Sequence, residues 1–144
     1  MLVLTICLVL GTMKGTGNCL AQESPSSKYQ VAGIGDDAKV GVFLSRLKRA
    51  VAQNDKKRVA DLVHYPVFIG RPGGAIVRVV KSKNRFIRDY GRIICPRIRA
   101  VILAQKQEDL FVNDEGFRMG QDDIWFGAID DNDTIRILQV NCAK

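Results

Sequence analysis

The spacing of apolar residues changes once along this chain, near Gln105, and that change restricts the folds open to it. Before Gln105 most apolar residues recur at intervals of three and four. After it they alternate with polar ones between clusters of turn residues. A period of 3.6 lays an apolar stripe along a helix and a period of 2 an apolar face along a strand. The chain therefore reads as helices followed by a run of strands, which packs as an α+β layer structure and not as a parallel doubly wound sheet.

Val40, Phe43, Leu44, Leu47 and Val51 mark an amphipathic helix from Asp36 to Gln53, with Arg46, Lys48 and Arg49 off the stripe. Asn54-Asp55 interrupts it and can cap a shorter helix carrying Val59, Leu62 and Val63. Pro66 should end that helix, because the residue before a proline is pushed out of helical geometry. Val67-Phe68-Ile69 and Ala75–Val80 read as two short strands around a turn at Gly70–Gly74. Those glycines do not make a phosphate loop, since no Gly-Lys-Ser/Thr follows and no helix begins there. A long third helix, capped by Ser82 or Asn84, carries Phe86, Tyr90, Ile93 and Ile94 on one face and Arg85, Arg88 and Arg92 on another. Pro96 should kink or restart it. Leu110–Asn113, Phe117 to about Ile129, and Thr134–Val140 then form a three-stranded antiparallel meander.

The N-terminus bears on compartment. Leu2 to Leu10 is an apolar run of the length of a secretory h-region, and Cys19 and Ala21 place small side chains where a signal peptidase admits them. The expected organisation is a signal peptide over 1–21, a flexible polar lead-in over 22–35, and one α+β domain over 36–144. Cleavage before Gln22 would leave a periplasmic or secreted chain with no transmembrane span. Lipid anchoring at Cys19 is the alternative, and Asn18 disfavours it because the lipoprotein peptidase takes a small residue there. Removing 1–21 takes away Lys14 and no acid, so the charge of +7 becomes 21 − 15 = +6. Cys95 and Cys142 would remain in an oxidising compartment. Either they form a disulfide, or Cys95 packs as a small hydrophobe and Cys142 stays free in the tail.

FLSRLKRAVAQNDKKRVADLVHYP (43–66), DLFVNDEGFRMGQDDIWF (109–126) and the order of elements together resemble the nuclear-transport-factor-2-like fold, also called the ketosteroid-isomerase or SnoaL-like cone. The resemblance covers Asp36 to Asn141. It implies a helix pair and a long helix packed on a strongly curved, mainly antiparallel sheet, with an apolar pocket that members use as an active site, as a ligand pocket or not at all. Function must then be argued from side chains.

Among those side chains, Asp114, Glu115, Asp130, Asp131 and Asp133 fall at hairpin tips, where short polar groups support turns. Asp130–Thr134 lacks the glycine and distal glutamate of a calcium loop, and a single histidine excludes a multi-histidine site, so no metal or cofactor is implied. The sequon at Asn132 bears only on a eukaryotic secretory route. Gly120–Asp123 reads as a bulge in one long bent strand, which would aim Asp122 or Asp123 at the pocket. Desolvated there, Asp123 could transfer protons; at a sheet rim it would be a solvated acid. His64 is the second catalytic candidate, though its expected place at a helix end suits a packed ring or a C-terminal cation.

Tyr65, Tyr90, Trp125 and Arg118 are the candidate binding residues. Either Trp125 or its neighbours Ile124 and Phe126 must face away from the core, and packing of Trp125 against the long helix is the expected outcome. Lys81, Lys83, Arg85, Arg88, Arg92 and Arg99 lack the interleaved aromatics of a nucleic-acid surface. Anionic envelope material or an acidic protein fits them better as a partner, and a merely solvated helix face fits better still; a small apolar ligand in the cone pocket and a homodimer stay open. An exported binding module is the expected function. The alternatives are a small acid–base enzyme of isomerase or dehydratase type and an immunity- or inhibitor-type protein that blocks a partner.

Overall fold

A computed structural model describes residues 27–142 of the 144-residue chain. The expected signal segment, the Cys19 alternative and the start of the lead-in lie outside the described residues. The helices are α1 (Asp37–Ala52), α2 (Lys56–Asp61), α3 (Lys83–Ile93) and α4 (Pro96–Ala104). The strands are β1 (Val63–Gly70), β2 (Ile76–Val80), β3 (Phe111–Asn113), β4 (Gly116–Met119), β5 (Ile124–Ala128) and β6 (Ile135–Val140). Among the described residues no helix is long and apolar enough to cross a membrane.

Three helices start where a side chain can accept from a free backbone N–H. Ala38 N donates to Asp36 Oδ1 at 2.9 Å, Arg58 N to Asp55 Oδ1 at 3.0 Å, and Arg85 N to Ser82 Oγ at 3.4 Å. The strands form one open mixed sheet in the order β2-β1-β6-β5-β4-β3, antiparallel throughout except for the parallel pair β1–β6. Phe43 and Leu47 of α1, Phe86 of α3 and Ile98 and Ile102 of α4 are buried in one core with Ile69, Phe117, Ile124, Phe126 and Ile137 of the sheet. Phe43 meets Phe126 edge-on at 5.2 Å, and Phe117 stacks on Phe126 at 5.3 Å. Each such side chain contributes about 1.5–3 kcal/mol through its burial.

Pro96 restarts the third helical segment, which divides into α3 and α4, because it opens α4 at the position where its missing N–H costs nothing. Five other expectations are corrected. Pro66 does not end α2, which stops at Asp61; it lies inside β1, where pairing with β6 skips from Val63 to Phe68 and no ladder N–H is needed. His64 therefore sits exposed on a strand and not at a helix end. The Gly120–Asp123 interruption is a turn closing a β4–β5 hairpin, so the meander has four strands. Gly120 (φ 62°) and Asp122 (φ 65°) both enter the left-handed region and reverse the chain between Met119 and Ile124. Trp125 leaves the core to Ile124 and Phe126 and lies half-buried on the opposite face. The core also begins before Asp36: Tyr29 and Ile34, inside the expected lead-in, are buried, and Tyr29 OH donates to Gln107 O at 2.9 Å.

Candidate functional site

The β1–β2 turn, the break between α3 and α4, and the end of β6 converge. Cys95, in the break, is joined by a disulfide to Cys142, just past β6, with Cα atoms 6.4 Å apart. That span lies within the range a disulfide bridges. The bond holds one wall of a groove of about 1040 Å³. Ile69, Val77, Pro72 and Pro96 give it an apolar lining, and Arg71, Arg78, Arg92 and Arg97 surround them.

Each arginine is set by its element. Gly73 (φ 93°) and Gly74 (φ 91°) reverse the chain so that Arg71 N donates to Ala75 O at 2.9 Å, which fixes the turn that carries Arg71. Arg78 reaches from β2 to Asp89 of α3 at 3.1 Å. Asp89 also accepts from Arg85 Nε at 2.8 Å, and that bond foremost holds its carboxyl below the usual range. Arg92 occupies the last turn of α3, where a cation is favoured by the helix dipole. Arg97, in the first turn of α4, pairs with Asp123 and donates its other arm to Asn141 O. No carboxylate lines the groove, and Arg71 and Arg92 have no acidic partner among the described residues.

The sequence candidates are dispersed. Asp123 is neither an open pocket acid nor a solvated rim acid: its side chain is 8% exposed and bound to Arg97, with Gln121 N donating to its Oδ2 at 3.3 Å. The ring of His64 makes no hydrogen bond among the described residues and lies apart from the groove. Tyr65 and Tyr90 both pack edge-on against Phe86 in the core, at 6.3 and 6.2 Å. Burial raises both phenols above their ordinary value, and the Asp61 charge raises Tyr65 further. Tyr65 OH donates to Ala60 O at 3.0 Å, while Tyr90 OH is buried without a partner. Arg118 and Trp125 do meet, but on the far side of the sheet.

Sequence reasoning singled out one groove arginine, Arg92, and missed Arg71, Arg78 and Arg97. Their common signal is proximity in sequence to the Gly70–Gly74 turn or to Cys95-Pro96, two points that the disulfide region brings together. A smaller cavity of about 410 Å³ beside the β5–β6 turn is lined by Lys39, which is already bonded to Asp133 at 3.0 Å. Among the described residues no group of three or more His, Cys, Asp or Glu side chains could hold a metal ion. No family model, curated protein or solved structure matches this chain.

Proposed function

We propose that the protein is a binding module whose groove holds a small apolar molecule ending in a carboxylate or phosphate. The observation that carries this reading is the combination of four guanidiniums, no carboxylate and an apolar floor in one cavity. A guanidinium presents a planar fork of donors that matches a carboxylate or phosphate bidentately, and Arg71 and Arg92 have donors to spare. Ile69, Val77 and the two prolines offer the surface against which an alkyl or ring portion would be buried.

The lining favours binding over acid–base chemistry in this groove. Guanidiniums do not release protons near neutrality, and bonded cysteines do not titrate, so the walls supply no group suited to proton transfer. Export and kinship with the cone fold remain part of the same proposal. The apolar run of residues 2–10 supports the first. The order of helix pair, strand pair, helical segment and meander supports the second.

Displacement of a fluorescent fatty-acid analogue tests the reading. An alkyl phosphate should compete, more weakly at high salt, and a neutral alcohol of equal chain length should compete at least tenfold less well. Equal competition by the alcohol would refute an anion-selective groove.

A further inference from the structure

The sheet face turned away from the helices carries one residue from every strand in a single cross-strand row. Val79, Phe68, Gln139, Trp125, Arg118 and Phe111 are successive register partners from the β2 edge to the β3 edge. Phe68 and Phe111 are 42% and 47% exposed, far more than a core-forming sheet requires. The aromatic residues stand on β1, β5 and β3, which is every second strand. Neighbouring strands lie about 4.8 Å apart, so the rings recur at about 9.6 Å with Gln139 and Arg118 between them.

These side chains are held in place. The Arg118 guanidinium lies 4.1 Å from the Phe111 ring centre and 5.6 Å from that of Trp125, and it pairs with Asp122. Gln139 Nε2 donates to Asn141 Oδ1 at 2.8 Å, which leaves its carbonyl free to accept. Arg118, the one charged residue in the row itself, pairs with Asp122, and the two neutralise each other. A polyanion would gain little from such a surface, since single-stranded nucleic acid needs cations along its backbone as well as stacking rings.

We infer that this row is a platform for an uncharged, extended β-1,4-linked glycan lying across the strands. Each pyranose in such a chain is close to one strand spacing long, and successive rings are turned over. Sugars above Phe68, Trp125 and Phe111 would stack their C–H faces on aromatic rings. Those above Gln139 and Arg118 would exchange hydrogen bonds with an amide and a guanidinium. The period of the side chains and the period of the polymer coincide, and that coincidence selects this ligand over a contiguous apolar partner.

Trp125 is the only tryptophan in the chain, so intrinsic fluorescence reports directly from the platform. Oligomers of β-1,4-linked N-acetylglucosamine, from dimer to hexamer, should change the emission saturably. Affinity should rise at least tenfold from dimer to pentamer and then level off, because the row from Phe68 to Phe111 has five positions. Phe68→Ala, whose folding is checked by circular dichroism, should weaken pentamer binding about tenfold. No spectral change with any oligomer, or an affinity independent of length, would overturn the inference. So would an emission shift driven by protein concentration alone, which would mean that a second copy covers the face, or tighter binding of single-stranded DNA than of the glycan.

Discussion

Arg97, in the first turn of α4, is ion-paired with Asp123 in the β4–β5 turn, and its second arm binds the carbonyl of Asn141 at the end of β6. One side chain thus ties a helix, a hairpin turn and the last strand together while facing the groove. Asp123→Asn should therefore destabilise the protein. Removing one partner of a buried pair is costly, but Arg97 is 45% exposed and solvent offsets part of that, so a loss of about 1–2 kcal/mol is expected. Denaturant unfolding at neutral pH measures it, and a gain in stability would mean that Asp123 is instead a strained pocket acid.

The disulfide closes a segment with a sequence separation of 47 between Cys95 and Cys142. Chain entropy assigns such a loop about 4 kcal/mol, so a Cys142→Ser variant, or wild type under reductant, should unfold at markedly lower denaturant. Non-reducing peptide mapping should find the linked pair. Two alkylatable thiols in folded, oxidised protein would contradict the assignment.

All three tyrosines, Tyr29, Tyr65 and Tyr90, are held protonated above the ordinary phenol value of 10.0, in each case chiefly by burial. Unfolded phenols ionise near pH 10 while the folded ones keep their protons, so this contribution is whole below that pH and falls as pH rises above it. Tyrosinate absorbance should stay low through pH 10 and then rise for all three residues together with loss of the circular dichroism signal. A phenol titrating near 10 in folded protein would contradict this.

The turn acids should separate by their bonds. Asp114 and Asp131 accept no hydrogen bond among the described residues, and Asn at either position should change stability by no more than about 0.5 kcal/mol. Asp130 Oδ1 accepts from Asn132 N at 3.1 Å and Thr134 N at 3.0 Å. Asp130→Ala should therefore destabilise the protein more than either of those changes, through the lost bonds. The Thr134 side chain foremost holds the Asp130 carboxyl below its usual range, so its contribution is present above that range and disappears as pH falls through the lowered value. Stability of the variant against pH, compared with wild type, checks both points.

Much of the fold was legible because it rests on local chemistry: Asp36, Asp55 and Ser82 start helices, Pro96 restarts one, and the acids at Asp114 and Asp130–Asp133 mark turns. What escaped depends on conformation or distance. Asp122 takes a positive φ without being glycine, so its turn looked like a bulge. Pro66 looked like a helix stop because an irregular β1–β6 ladder cannot be seen in one segment. Tyr29 joins the core beside Gln107, to which its hydroxyl donates, and Ile34 follows it through a bond to the Tyr29 carbonyl, links that periodicity does not reveal. The groove was the least legible feature, since Arg71, Arg78, Arg92 and Arg97 come from a turn, a strand and two helix ends that only tertiary packing assembles.

Calorimetric titration of an alkyl phosphate into wild type and into an Arg71→Ala/Arg92→Ala variant asks most directly whether the groove binds anions. Neither side chain forms an ion pair among the described residues, so the variant should stay folded and lose no more than the helix-dipole contribution of Arg92, under about 1 kcal/mol. Wild type should bind, and the variant should lose about tenfold in affinity per guanidinium, about 1.4 kcal/mol each. Equal affinity in the two proteins, or no binding to wild type, would contradict the assignment of this groove as the functional site.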